Sequence, residues 1–96
     1  MTAYVIYQGE VLDAERYEQY KPLAAASIEA AGGRYLVRGG AFDVLEGEPP
    51  DGRTVVFEFP DRETALSWYH GPGYAEAKRL REGAARARMY VVDAVD

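Results

Sequence analysis

The chain contains no cysteine. That excludes disulfides and thiolate metal sites, and in a small fold it suits a reducing interior. Histidine is almost absent as well: His70 is the only one, and one histidine without cysteine cannot assemble a usual zinc site. No glycine phosphate loop, dinucleotide fingerprint or nucleophile elbow is present. Any catalysis is therefore expected to need no cofactor, or to use one bound without a motif. Long hydrophobic runs are missing too. Leu23-Ala24-Ala25-Ala26 is the longest unbroken apolar stretch of the first expected helix, far below the roughly 20 residues that span a bilayer. The start, Met1-Thr2-Ala3-Tyr4-Val5-Ile6-Tyr7, lacks the basic and apolar regions of a secretory signal. These absences point to a cytoplasmic chain with no membrane partner. Positive charge is in deficit, with 11 Lys and Arg against 16 Asp and Glu and a net charge of -5. A nucleic-acid partner is not expected from that balance. Lys78, Arg79, Arg81, Arg86 and Arg88 are locally basic, but Glu76 and Glu82 are interleaved, as on a solvated helix end. Asp43, Glu46 and Glu48 lack the spacing of a calcium loop.

What is present is an ordinary globular composition, 48% hydrophobic and 28% charged over 96 residues. Residues 1–96 make one domain, able to bury roughly two-thirds of its unfolded surface. A strand is expected over Ala3–Val11, with Ala3, Val5, Tyr7 and Val11 on one face and Tyr4, Ile6, Gln8 and Glu10 on the other. Asp13 is placed to cap a helix running to about Ala31. Tyr17, Tyr20, Leu23 or Ala24, Ile28 and Ala31 form its apolar stripe, and Pro22 predicts a kink or restart. Gly32-Gly33 ends the helix. The second strand is Arg34–Arg38, interrupted by Gly39-Gly40 and resumed at Phe42–Glu46. The glycine pair implies a bulge or a close approach by something else. Glu48 to Gly52 makes the hairpin connection. The third strand is Arg53–Phe59. Asp61 caps a second helix that breaks at Gly71-Pro72-Gly73 and continues from about Tyr74 to Gly83. The last strand is about Arg88–Val95.

Two strand–helix–strand units, each with an aspartate opening its helix, make a ferredoxin-like α+β sandwich, βαββαβ. A four-stranded antiparallel sheet carries both helices on one face. Apolar residues nevertheless occur on both faces: Tyr4, Ile6, Val56, Tyr90 and Val92 oppose Val5, Tyr7, Val55, Phe57, Met89 and Val91. A solvated outer face alternates more cleanly. Leaving large side chains wet forfeits about 1.5–3 kcal/mol each. The expected cover is a second copy packed sheet on sheet, making a homodimer.

The stretch Gly32-Gly33-Arg34-Tyr35-Leu36-Val37-Arg38-Gly39-Gly40 resembles the signature of a small bacterial family, domain of unknown function 1330. So do Glu58-Phe59-Pro60, Trp68-Tyr69 with Pro72 and Tyr74, and the late Arg81 and Arg88. The similarity covers nearly the whole chain. It implies the dimeric α+β barrel superfamily, whose members include small monooxygenases and muconolactone isomerase-like enzymes. The family carries no general activity. His70-Gly71 before Pro72 departs from the small or acidic residues of the family pattern, so a site built on His70 would be particular to this chain.

A few side chains could carry chemistry. Histidine is the residue type suited to proton transfer, and His70 lies at the helix break, either as a proton shuttle or as an exposed or capping residue. Arg38 precedes the glycine pair and could clamp a carboxylate or enolate, or pair with an acidic neighbour. Tyr74 and Arg81 are seven apart and share one helix face; if that face meets the sheet, both point into the space beneath Arg38. Arg81 there needs an acidic partner, such as Glu58 or Glu46, or an anionic ligand. Tyr17, Tyr20, Trp68 and Tyr69 are mostly core, with one or two left to line a cleft for a flat organic ligand. The first functional expectation is a homodimer of undefined activity that binds a small apolar or weakly acidic molecule between helices and sheet. Arg38, Arg81, Tyr74, Trp68 and Tyr20 would make its binding site. The second is a cofactor-independent isomerase, cyclase, lyase or monooxygenase, with His70 or a tyrosine moving a proton and Arg38 stabilising an anion. A third is a structural or regulatory dimer with no pocket.

Overall fold

Alternation of buried and half-exposed residues runs from Ala3 to Glu10 in the first strand, β1 (Ala3–Val11), and from Thr54 to Phe59 in the third, β3 (Arg53–Phe59). These are the two central strands. The computed structural model describes residues 1–96. Its sheet has four strands in the order β2-β3-β1-β4, where β2 is Arg34–Arg38 and β4 is Ala85–Asp93. Every neighbouring pair is antiparallel. Val5, Tyr7, Val55, Phe57 and Phe59 point inward and are buried under the helices. No helix is long and apolar enough to cross a membrane.

Helix α1 spans Ala14–Ala30, and the Asp13 carboxylate accepts from the Arg16 backbone N–H at 3.1 Å. Its buried stripe is Tyr17, Tyr20, Ala24, Ser27 and Ile28, so Ala24 rather than Leu23 faces the sheet. The expected interruption at Pro22 does not appear: the helix is continuous. Proline removes the partner of the Glu18 carbonyl, but both residues lie on the exposed face, where water serves. Gly32 ends the helix at φ +88°. Its N–H donates to the Glu29 carbonyl at 3.0 Å and that of Gly33 to the Ile28 carbonyl at 2.8 Å, the paired bonds of a left-handed glycine stop. A Cβ at Gly33 would lie 2.7 Å from both Ile28 and Phe59. Glycine is thus needed there for close packing.

Strand β2 ends at Arg38 and does not resume at Phe42–Glu46. That run has strand periodicity, but its partner would be β3, of which only Thr54 and Arg53 remain beyond the Arg38–Val55 pair. Phe42, Val44 and Leu45 are consequently exposed. The irregularity expected at Gly39-Gly40 lies earlier, between Tyr35 and Val37. The glycine pair has the other role foreseen for it, since the Arg53 guanidinium lies against Gly39.

Asp61 caps helix α2 (Arg62–His70), accepting from the Thr64 backbone N–H and hydroxyl, both at 2.7 Å. Those bonds hold its carboxyl below the usual range. Gly71 separates α2 from helix α3, which begins at Pro72 and ends at Arg81. A Cβ at Gly71 would sit 2.6 Å from the Ser67 carbonyl oxygen. Pro72 and Gly73 belong to the first turn of α3 rather than to the break, because proline is well suited to the first helical position. Strand β4 starts three residues earlier than expected and stops two earlier, since it pairs along all of β1, from Val11–Ala85 to Ala3–Asp93. All three helices cover the inner face, while Tyr90 and Val92 on the outer face remain 54% and 43% exposed.

Candidate functional site

The site starts with an extra residue in β2. Arg34 and Tyr35 oppose Glu58 and Phe57, but Val37 and Arg38 oppose Val56 and Val55. Leu36 is the unmatched residue. In an uninterrupted strand Arg38 would oppose Thr54 and face outward; the bulge turns it to the helix side. Its guanidinium carbon lies 4.4 Å from the centre of the Tyr35 ring. Arg53, the first inward residue of β3, opposes Gly9. Its guanidinium rests against Gly39, where a Cβ would come within 2.7 Å. The Arg53 Nε–H is buried and donates to no protein acceptor.

Helix α1 supplies the opposite wall with Tyr17, Tyr20, Lys21, Ala24 and Ile28. The sheet supplies Tyr7, Val55, Phe57 and Met89 beneath them. Together with Tyr35, Arg38 and Arg53 they line a cleft of about 30 Å³, enough for a water or a small polar group. Lys21, Arg38 and Arg53 are its three cations, and no carboxylate belongs to the lining. Lys21 bonds Glu18 at 3.0 Å outside it. The Tyr17 hydroxyl donates to that of Tyr7 at 3.2 Å. Burial, then that bond, pushes the Tyr7 hydroxyl up, so it stays protonated at neutral pH. Burial likewise raises Tyr35, against the opposing pull of Arg38.

Behind Tyr20 lies a second polar cluster. The Tyr20 and Tyr74 hydroxyls are 3.0 Å apart, and Arg81 Nε donates to Tyr74 at 3.4 Å. Burial, followed by the neighbouring Tyr74, drives the Tyr20 hydroxyl well above its ordinary range. For Arg81 burial works downward, but the tyrosines, Tyr74 first, outweigh it and the guanidinium lies higher than usual. Arg81 pairs with neither Glu58 nor Glu46; Glu58 bonds Arg34 instead, at 2.7 Å.

His70 is elsewhere. It is exposed and lines a groove of about 290 Å³ between α2 and β4, with Leu66, Trp68, Tyr69 and Tyr90 among its walls. Trp68 is buried, and its Nε1–H donates to Ser27 Oγ at 3.0 Å. Of the residues expected to form one site, Arg38 and Tyr20 line the cleft, Tyr74 and Arg81 stand behind Tyr20, and Trp68 and His70 face the other groove. His70 and Arg38 do not share a cavity. Arg53 and Lys21 were missed. Both were readable: Arg53 precedes inward Val55 and Phe57 by steps of two, and Lys21 lies four residues after Tyr17 and three before Ala24 on the stripe of α1.

A family model described as a domain of unknown function (DUF1330) matches residues 2–95. No curated protein matches. Among solved structures, a protein of unknown function from Rhodopseudomonas palustris is 20% identical, with a TM-score of 0.77, over 99% of this chain and 83% of the other. A dimeric ferredoxin-like protein of unknown function from a Jannaschia species is 10% identical, with a TM-score of 0.74, over 98% and 100%. SnoaB, a cofactor-independent oxygenase from Streptomyces nogalater, is 11% identical, with a TM-score of 0.64, over 99% and 94%. At these identities the likeness shows the fold alone, a ferredoxin-like α+β sandwich.

Proposed function

The chain belongs to the DUF1330 family, and on that premise we propose that it is a homodimer that binds a small apolar or weakly acidic organic molecule between α1 and the sheet. One observation carries this reading. In a chain of net charge -5, an otherwise apolar and aromatic cleft gathers three cations and no carboxylate. An anionic group is the complement of such a lining. Arg38 stands exposed at the rim and receives it; Tyr20, backed by Tyr74 and Arg81, walls the apolar part. Trp68 contributes by holding α2 to Ser27 of α1. The test is calorimetric titration with propionate and its neutral isostere propionamide. Propionate binds more tightly, and Arg38→Ala reduces that preference without changing propionamide binding. Absence of binding by either compound overturns the reading.

A second reading has its own observation. The neighbour SnoaB is named a cofactor-independent oxygenase, and two hydroxyls, Tyr7 and Tyr17, meet at the cleft. Being protonated, Tyr7 is suited to donate a proton to an enolate-like anion held by Arg38, and unsuited to act as a base. His70 stays outside this scheme because it lines a separate groove. His70→Ala therefore leaves any turnover unchanged, while Tyr7→Phe lowers it; the reverse result would move the chemistry to the α2–β4 groove.

A further inference from the structure

We propose that Arg53, deeper in the cleft than Arg38, is the residue that selects the ligand, and that the ligand class is small aliphatic carboxylates. This rests on the binding reading above and narrows it. Three independent features of the structure converge on Arg53. Its Nε–H is buried with no protein acceptor, although buried donors are nearly always paired. Its guanidinium is held flat by the absence of a side chain at Gly39, which adopts φ +72°. It forms no ion pair, unlike Arg34, Arg62, Arg79 and Arg86. The guanidinium is thus oriented by backbone shape rather than by a carboxylate of the chain. Nε is covered as the side chain stands, and a small turn of the guanidinium would bring that donor onto a carboxylate supplied from outside, with the bidentate geometry that arginine favours.

The volume sets the size of the ligand. A cleft of about 30 Å³ admits the carboxylate itself, with a short alkyl tail left at the open rim, and not a fused ring system. The neighbouring tyrosines remain protonated and can donate to the same anion. Arg81 does not line this cleft and donates to Tyr74 behind Tyr20.

The test is an NMR titration of the whole chain, labelled with 15N-arginine, using propionate as the probe and propionamide as control. The Arg53 Nε–H resonance shifts on adding propionate and not on adding propionamide. Arg53→Gln weakens propionate binding by about tenfold or more, the loss expected of one charge-assisted contact. Arg53→Lys recovers only part of it, and Arg79→Gln, at an exposed arginine paired with Glu76 away from the cleft, leaves the affinity within about twofold. If propionate binds the wild type with the Arg53 signal unmoved, or binds Arg53→Gln equally well, the assignment is wrong while the cleft reading survives. If the wild type binds no propionate, both fall. Should Arg53→Gln fail to fold, the wild-type Nε–H shift decides alone.

Discussion

Ser27 is a small residue with two obligations. Its hydroxyl donates to the Ala24 carbonyl at 2.8 Å and accepts from the indole of Trp68 at 3.0 Å. The sequence showed Ser27 only as a polar residue near an apolar stripe. Its partner is 41 positions away, so no local pattern could reveal the bond. Ser27→Ala leaves the buried indole N–H without an acceptor and destabilises the fold by about 1–3 kcal/mol, read from the midpoint of urea unfolding. Asp61, by contrast, was fully legible as a cap, because capping depends on residues within one turn. Its folded-state carboxyl lies below the ordinary 3.8. Between those two values the unfolded chain binds more protons, so stability rises with pH there. The contribution is complete above the unfolded value and disappears as pH falls through the folded one. The gap in Tm between wild type and Asp61→Ala is therefore widest near neutrality and closes in acid. A gap that ignores pH would show that the carboxylate is not the capping group.

At the scale of elements, periodicity located β1, β3 and α1, because each contains its own repeat of buried positions. It failed where pairing decides. Phe42–Glu46 reads as a strand but has no neighbour, while Ala85-Arg86-Ala87 reads as a loop and is drawn into β4 by the length of β1. The bulge at Leu36 was misplaced for the same reason: it exists only in the register with β3. A single deletion inside a regular strand reverses every side chain beyond it. Deleting Leu36 should do the opposite. Tyr35 would still oppose Phe57, Val37 would still oppose Val56 and Arg38 would still oppose Val55. The variant is expected to fold and to keep its preference for propionate within about threefold of wild type by calorimetric titration. Loss of that preference would mean that the bulge does more than re-aim Arg38.

For the molecule as a whole, the three helices on one side leave Ile6, Val56, Tyr90 and Val92 on the other. Alternation on the strands made this asymmetry readable, and the proposed homodimer follows from it. In sedimentation velocity at micromolar concentration the wild type is expected at twice the chain mass of 10.6 kDa. Ile6→Glu, which sets a charge between Val56 and Tyr90 in the apolar face, shifts it to the single-chain mass. A wild type that sediments as one chain removes the sheet-on-sheet assembly. The separation of His70 from Arg38 was not legible, since one ends α2 and the other ends β2, and the distance between those ends depends on how each helix lies over the sheet.

The chain owns one tryptophan, and Trp68 is 5% exposed, bonded to α1, with its ring centre 4.3 Å from that of Tyr74 in α3. One fluorophore therefore touches all three helices at their junction. Its emission, excited selectively near the red edge of absorption, is an intrinsic gauge of whether the helical layer is seated. Loosening of that layer, by ligand entry or by heat, would register as a change in colour and quenching without any attached dye.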